Sequence, residues 1–120
     1  MFNLLLSILL WVPPQAQVAS KVEWLSATTH DFGDIKRGVP AKVDFRFKNI
    51  SQDTLLIDNV RASCSCTASD WSEEVVVPGR EGVIGIEYDA KREGYFSKKI
   101  NVFFSGQRKP EKLTIEGYVE

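Results

Sequence analysis

Ala41 to Ile50 (AKVDFRFKNI) alternates between apolar and charged residues, and this period of two restricts the fold more than any other feature of the chain. Val43, Phe45 and Phe47 fall on one side, and Lys42, Asp44, Arg46 and Lys48 on the other. Successive side chains of an extended chain point to opposite faces, so the stretch reads as a strand with one face buried and one in water. The rhythm returns downstream. Ile84, Ile86 and Tyr88 share a face within Val83–Ala90, and Leu113, Ile115 and Val119 share one within Lys112–Val119. Tyr95–Ser105 places Phe96, Ile100, Val102 and Phe104 together, with Lys98 as the one polar member of that row.

Turn chemistry separates these runs. Arg37-Gly38-Val39-Pro40, Asn49–Thr54 (NISQDT), Pro78-Gly79, Lys91–Gly94 and Gly106–Pro110 carry the residues that favour reversal of the chain. Between them, Glu23–Thr29 reads as a first strand with His30–Ile35 extended after it, Leu55–Ala62 as another strand, and Val75–Val77 as a short one. Ala68–Glu74 is polar apart from Trp71 and is assigned to no strand. No segment sustains a 3.6-residue period. The expected fold is all-β, an immunoglobulin-like antiparallel β-sandwich of about seven strands.

A chain of 120 residues with 43% hydrophobic and 26% charged residues is one globular domain. Its formal net charge of −1 excludes the clustered positive charge that nucleic-acid binding needs. No basic amphipathic stretch suits a membrane surface. Met1–Val12 (MFNLLLSILLWV) is uncharged and apolar, then Pro13-Pro14 and small residues follow. That run is well short of the roughly 20 residues a membrane-spanning helix needs, and it has the form of a signal-peptide core. The expected organisation is a signal peptide over residues 1–20, cut after Ser20 or alternatively after Ala16, and a mature domain over 21–120 without a membrane span. Such a protein is exported, periplasmic or secreted, and its cysteines meet an oxidising compartment.

Those cysteines are Cys64 and Cys66, the two in the chain, at the end of LLIDNVRASCSCT. They are too close in sequence to form the inter-sheet bridge of antibody-type domains. In a straight strand, residues i and i+2 face the same way about 6.6 Å apart, near the upper limit for a disulfide, so a bond requires a kink. A loop that small removes little entropy from the unfolded chain and makes a poor staple. Three readings stand together: an inert pair, a reversible thiol–disulfide couple, or two thiolates offered to a soft metal such as Cu(I). Zinc suits the pair least, because a closed site takes four ligands and His30 is the single histidine.

Other motifs carry bland readings. Asp31-Phe32-Gly33 matches the magnesium motif of kinases, but the chain lacks its companions. His30 has no nucleophile elbow to serve. Asn49-Ile50-Ser51 is a glycosylation acceptor pattern, read first as a plain hairpin turn. Trp24 and Trp71 read as packing residues.

Taken together, HDFGDIKRG, FRFKNIS, LLIDNVRASCSCT, VPGREGVIGIEYDA and GYFSKKINVFFSG closely resemble the domain-of-unknown-function 1573 family of secreted bacterial domains. The resemblance runs from Ser26 to Glu120 and implies a sandwich similar to sperm-protein-like and ASH-type domains. The family's cysteine motif falls on Cys64, Cys66 and Thr67, with Ser65 where glycine is usual, which makes a tight internal bond harder. The resemblance implies fold and export and carries no activity. The expectation is therefore a non-enzymatic binding or structural module with an unidentified envelope protein as partner. The alternative is a thiol-redox or Cu(I)-binding protein acting through Cys64 and Cys66.

Overall fold

The computed structural model describes residues 20–120, so the expected signal-peptide core lies outside the described residues. Eight strands follow in order: β1 (Val22–Trp24), β2 (Thr29–Ile35), β3 (Ala41–Asn49), β4 (Ile57–Ala62), β5 (Thr67–Trp71), β6 (Glu81–Tyr88), β7 (Gly94–Phe104) and β8 (Glu111–Val119). They form two four-stranded sheets, ordered β1-β3-β6-β5 and β2-β8-β7-β4. The alternating runs lie at the centre of each sheet, because a strand paired on both sides must bury one complete face. Phe45, Phe47, Ile84 and Ile86 from one sheet meet Ile100, Val102, Leu113 and Ile115 from the other, all essentially inaccessible to solvent. Burying one such side chain stabilises by about 2 kcal/mol. An exposed pair such as Lys42–Glu87, at 3.9 Å, contributes roughly 0–1 kcal/mol, so the apolar faces hold the sandwich together.

Several details differ from the sequence reading. The stretch read as one strand plus an extension is split between the sheets. The Leu25 N–H still donates to the Arg46 carbonyl (2.9 Å), whereas the Thr28 carbonyl already accepts from Thr114 (2.8 Å). The chain therefore changes sheets within residues 25–28, and β2 joins β8 in parallel while the other ladders are antiparallel. Val75–Val77 contributes a single bridge, Val76 to Leu55, and no ladder strand. The polar stretch after the cysteines supplies β5 instead. Its inner face carries Thr67, Ser69 and Trp71, of which Thr67 is buried and Trp71 packs against the core.

Two glycine positions are set by close approach. A Cβ on Gly82 would overlap the ring of Phe47, its cross-strand partner. In β2 the Asp31 carboxylate accepts from the Gly33 N–H (2.8 Å), Gly33 takes φ +68°, and the register with β8 shifts there. Gly117 lets that bulge lie close, since a Cβ on it would come within 2.9 Å of the Gly33 carbonyl oxygen. Asp31-Phe32-Gly33 is thus a bulge motif. Phe32 packs edge-on against His30 at 4.6 Å, which accounts for the single histidine as a packing residue.

Candidate functional site

Three polar or open features stand out from this frame. The first is Asn49, which the sequence presents as a glycosylation acceptor. Asn49 is fully buried. Its Nδ2 donates to the carbonyls of Asp53 and Val76, both at 2.8 Å, and its Oδ1 accepts from the Ser51 N–H (3.0 Å) and Oγ (2.7 Å). Its main chain completes the knot, with the carbonyl accepting from Gly79 (2.8 Å) and the N–H donating to Arg80 (2.9 Å). The amide is thus consumed in joining two loops, residues 50–56 and 72–80, and because β3 and β4 lie in different sheets the turn is a crossover between sheets and not the expected hairpin.

The second feature is the Cys64–Cys66 turn. The structure joins the two sulfurs in a disulfide with the Cα atoms 5.3 Å apart. The kink that the bond requires is supplied by a turn that ends β4 and begins β5, closed by Thr67 N–H donating to the Cys64 carbonyl (3.3 Å). Ser65 is accommodated at the exposed tip, so the serine that was expected to hinder the bond does not prevent it. Two more main-chain bonds anchor the turn. Ser63 N–H donates to the Lys99 carbonyl and Asp89 N–H to the Cys66 carbonyl, both at 3.0 Å. The Cys66 N–H also points at Cys64 Sγ (3.0 Å). Both cysteines are half-buried, and Cys66 packs against the core.

The disulfide borders an open depression of about 440 Å³ shared with Tyr88, Asp89, Lys91, Arg92 and Lys98. Lys98, the polar member of the otherwise apolar row on β7, lines this depression at the open end of the sandwich. Tyr88 stacks on Phe96 with ring centroids 3.9 Å apart. Burial holds the Tyr88 phenol above its ordinary range; the Asp89 carboxylate adds to the effect and Arg92 opposes it. Oxidised, the cysteines offer a metal no thiolate; reduced, the same sulfurs would present a soft pair to Cu(I). Among the described residues, no group of three or more His, Cys, Asp or Glu is gathered for a metal ion.

The third feature is the edge formed by β5. Open strand edges invite pairing with another chain, and proteins blunt them by shortness, bulges, proline or lysine. β1 has three residues, β2 is bulged between Asp31 and Asp34, and β4 is bulged between Ile57 and Asn59. β5 (TASDW) is five residues long, pairs regularly with β6 and carries no bulge, proline or lysine. The Asp89-to-Cys66 bond makes Thr67 and Tyr88 a non-hydrogen-bonded pair. By the alternation of an antiparallel ladder, Ser69 and Trp71 then turn their N–H and C=O groups away from β6. Sequence reasoning missed this edge because its residues carry no alternation; the absence of Lys and Pro in TASDW was the available signal.

Two four-stranded sheets packed face to face define an immunoglobulin-like β-sandwich. The ASH/PapD-like domain 7 of human CEP192 is similar over 95% of this chain and 96% of its own length, with a TM-score of 0.74 and 10% identity. A protein of unknown function from Porphyromonas gingivalis W83 matches over 81% of this chain and 46% of its own, with a TM-score of 0.68 and 16% identity. The Vibrio cholerae VesB protease matches over 83% and 32%, with a TM-score of 0.64 and 11% identity. The chain thus spans less than half the length of these two bacterial proteins, and at such identities the likeness is one of fold. No curated protein matches the sequence. The chain belongs to the family described as protein of unknown function (DUF1573), whose model matches residues 23–119. No helix of the described residues is long and apolar enough to cross a membrane.

Proposed function

We propose that this protein is an exported docking module that receives an extended segment of another cell-envelope protein along β5. The observation that carries the reading is the contrast among the four edge strands: three are short or bulged, and β5 alone is regular and unprotected. Strand addition uses main-chain hydrogen bonds for affinity and alternate side-chain positions for selectivity. β5 supplies the first through Ser69 and Trp71, and the exposed Ala68 and Asp70 between them tolerate a neighbour. The apolar amino-terminal run and the oxidised cysteine pair support an exported location.

The test is Ser69→Pro, which removes an outward N–H and leaves the ladder to β6 intact. Wild-type protein immobilised in an envelope extract should retain a stoichiometric partner. The variant should bind that partner about tenfold or more weakly, a loss on the order of 1.4 kcal/mol, with an unchanged melting temperature. Equal retention by both proteins would remove β5 as the docking edge.

A further inference from the structure

We propose that the Cys64–Cys66 disulfide is a thiol-oxidising site that takes two electrons from the dithiol of an acidic peptide or protein. The proposal stands apart from β5 docking and rests on how the turn is built. Three main-chain hydrogen bonds already hold residues 63–67 in place: Ser63 to Lys99, Thr67 to Cys64 and Asp89 to Cys66. The bridge encloses one intervening residue, so it constrains the unfolded chain very little. The turn can therefore keep its shape with the bond open. A bridge that contributes so little to the fold is available for exchange.

The surroundings favour the reduced form. The Cys66 N–H points at Cys64 Sγ at 3.0 Å, and Lys91, Arg92 and Lys98 line the same depression against the single carboxylate of Asp89. Amide donors and cations stabilise a thiolate, and whatever stabilises the reduced pair makes its disulfide a stronger oxidant. Half-buried Lys98 brings its charge to this depression from a row otherwise filled by buried apolar residues, Phe96 and Ile100. The same positive charge selects an acidic substrate over a basic one.

The exchange balances as follows. A substrate thiolate attacks Cys64 Sγ, the outer sulfur, forming a mixed disulfide while the S–S bond to Cys66 breaks. The Cys66 sulfur leaves as a thiolate and takes a proton from solvent. The substrate's second thiolate then attacks the substrate sulfur of the mixed disulfide and expels Cys64 as a thiolate. That leaving group is the one held by the Cys66 N–H and the surrounding cations. The substrate loses two S–H protons and gains an S–S bond, and the protein's S–S bond becomes the Cys66 thiol and the Cys64 thiolate, with one proton released to solvent overall.

The experiment is a single turnover of the oxidised protein with a reduced acidic peptide bearing two cysteines, quenched with acid and read by mass spectrometry. One peptide disulfide should form per protein disulfide consumed, with transient peptide attached at Cys64. A basic peptide of the same length should react about tenfold more slowly. In the reduced protein, Lys98→Gln and, separately, the exposed Arg92→Gln should each move the thiolate absorbance titration to higher pH and slow oxidation of the acidic peptide severalfold. Melting temperatures should stay unchanged. A protein that returns the peptide unoxidised, or variants whose thiolate titration and rate match the wild type, would overturn the proposal.

Discussion

Asn49 and the Cys64–Cys66 bridge sit at opposite ends of β6, roughly 25 Å apart along its eight residues, and they use polar chemistry in opposite ways. At the Asn49 end, a fully buried amide makes four side-chain hydrogen bonds and ties two loops together without any covalent link. At the cysteine end, a covalent bond lies half-exposed beside three cations, in a turn the main chain already closes. The difference teaches that the covalent motif is not the structural one. Breaking a fully buried hydrogen-bond hub removes four bonds at once and leaves an emptied site under the loops. Breaking an exposed three-residue bridge strands nothing.

The comparison can be broken in three places. The largest effect is expected from Asn49→Ala, which removes four hydrogen bonds and empties a fully buried site, although the Val76 carbonyl keeps the Leu55 N–H (2.9 Å) and the Asp53 carbonyl keeps the Ser51 hydroxyl (3.1 Å). Denaturant unfolding should show a loss of about 2–3 kcal/mol. A loss below about 1 kcal/mol would show that water or loop movement replaces the amide. Next, Cys64→Ser with Cys66→Ser should cost at most about 1.5 kcal/mol, the chain-entropy value for so small a loop, with a native circular dichroism spectrum. A cost rivalling that of Asn49→Ala would make the bridge a structural staple and erase the contrast.

The smallest effect concerns Tyr88. Its phenol is held above the ordinary value of 10.0, first by burial and then by Asp89. The folded state thus favours the protonated phenol. That contribution to stability is complete below the unfolded value near 10 and is lost as pH rises through the higher folded value. Tyr88→Phe should therefore flatten the alkaline limb of a stability–pH profile above about pH 10 and leave the neutral region little changed. An unaltered alkaline limb would mean that Tyr88 is ionised as readily in the fold as outside it.

Much of this was legible in advance. Val43, Phe45 and Phe47, Ile84, Ile86 and Tyr88, and Leu113, Ile115 and Val119 announced their strands, because a half-buried strand must alternate. Phe45, Phe47, Ile84, Ile86, Tyr88, Leu113, Ile115 and Val119 are indeed buried, whereas Val43 packs only partly against the core. The Cys64–Cys66 pair was legible as chemistry and its kinked turn was not, since a turn closed by Thr67, Lys99 and Asp89 depends on residues far apart in sequence. β5 escaped notice for the complementary reason. An edge strand is defined by its neighbour β6, and the inner face of TASDW offers a single large apolar residue, Trp71, beside Thr67 and Ser69, too little for a visible alternation.

By itself, the sequence determined the strand-forming runs, their buried faces and the turns between them, because these follow from local backbone geometry and the removal of apolar side chains from water. The tertiary structure decided which sheet each strand joins, and so sent residues 29–35 across to pair in parallel with β8. It also decided that Asn49 would be a buried knot rather than a surface acceptor, and that Lys98, Arg92 and Lys91 would gather beside the sulfurs. Those outcomes depend on long-range contacts, which no local pattern encodes.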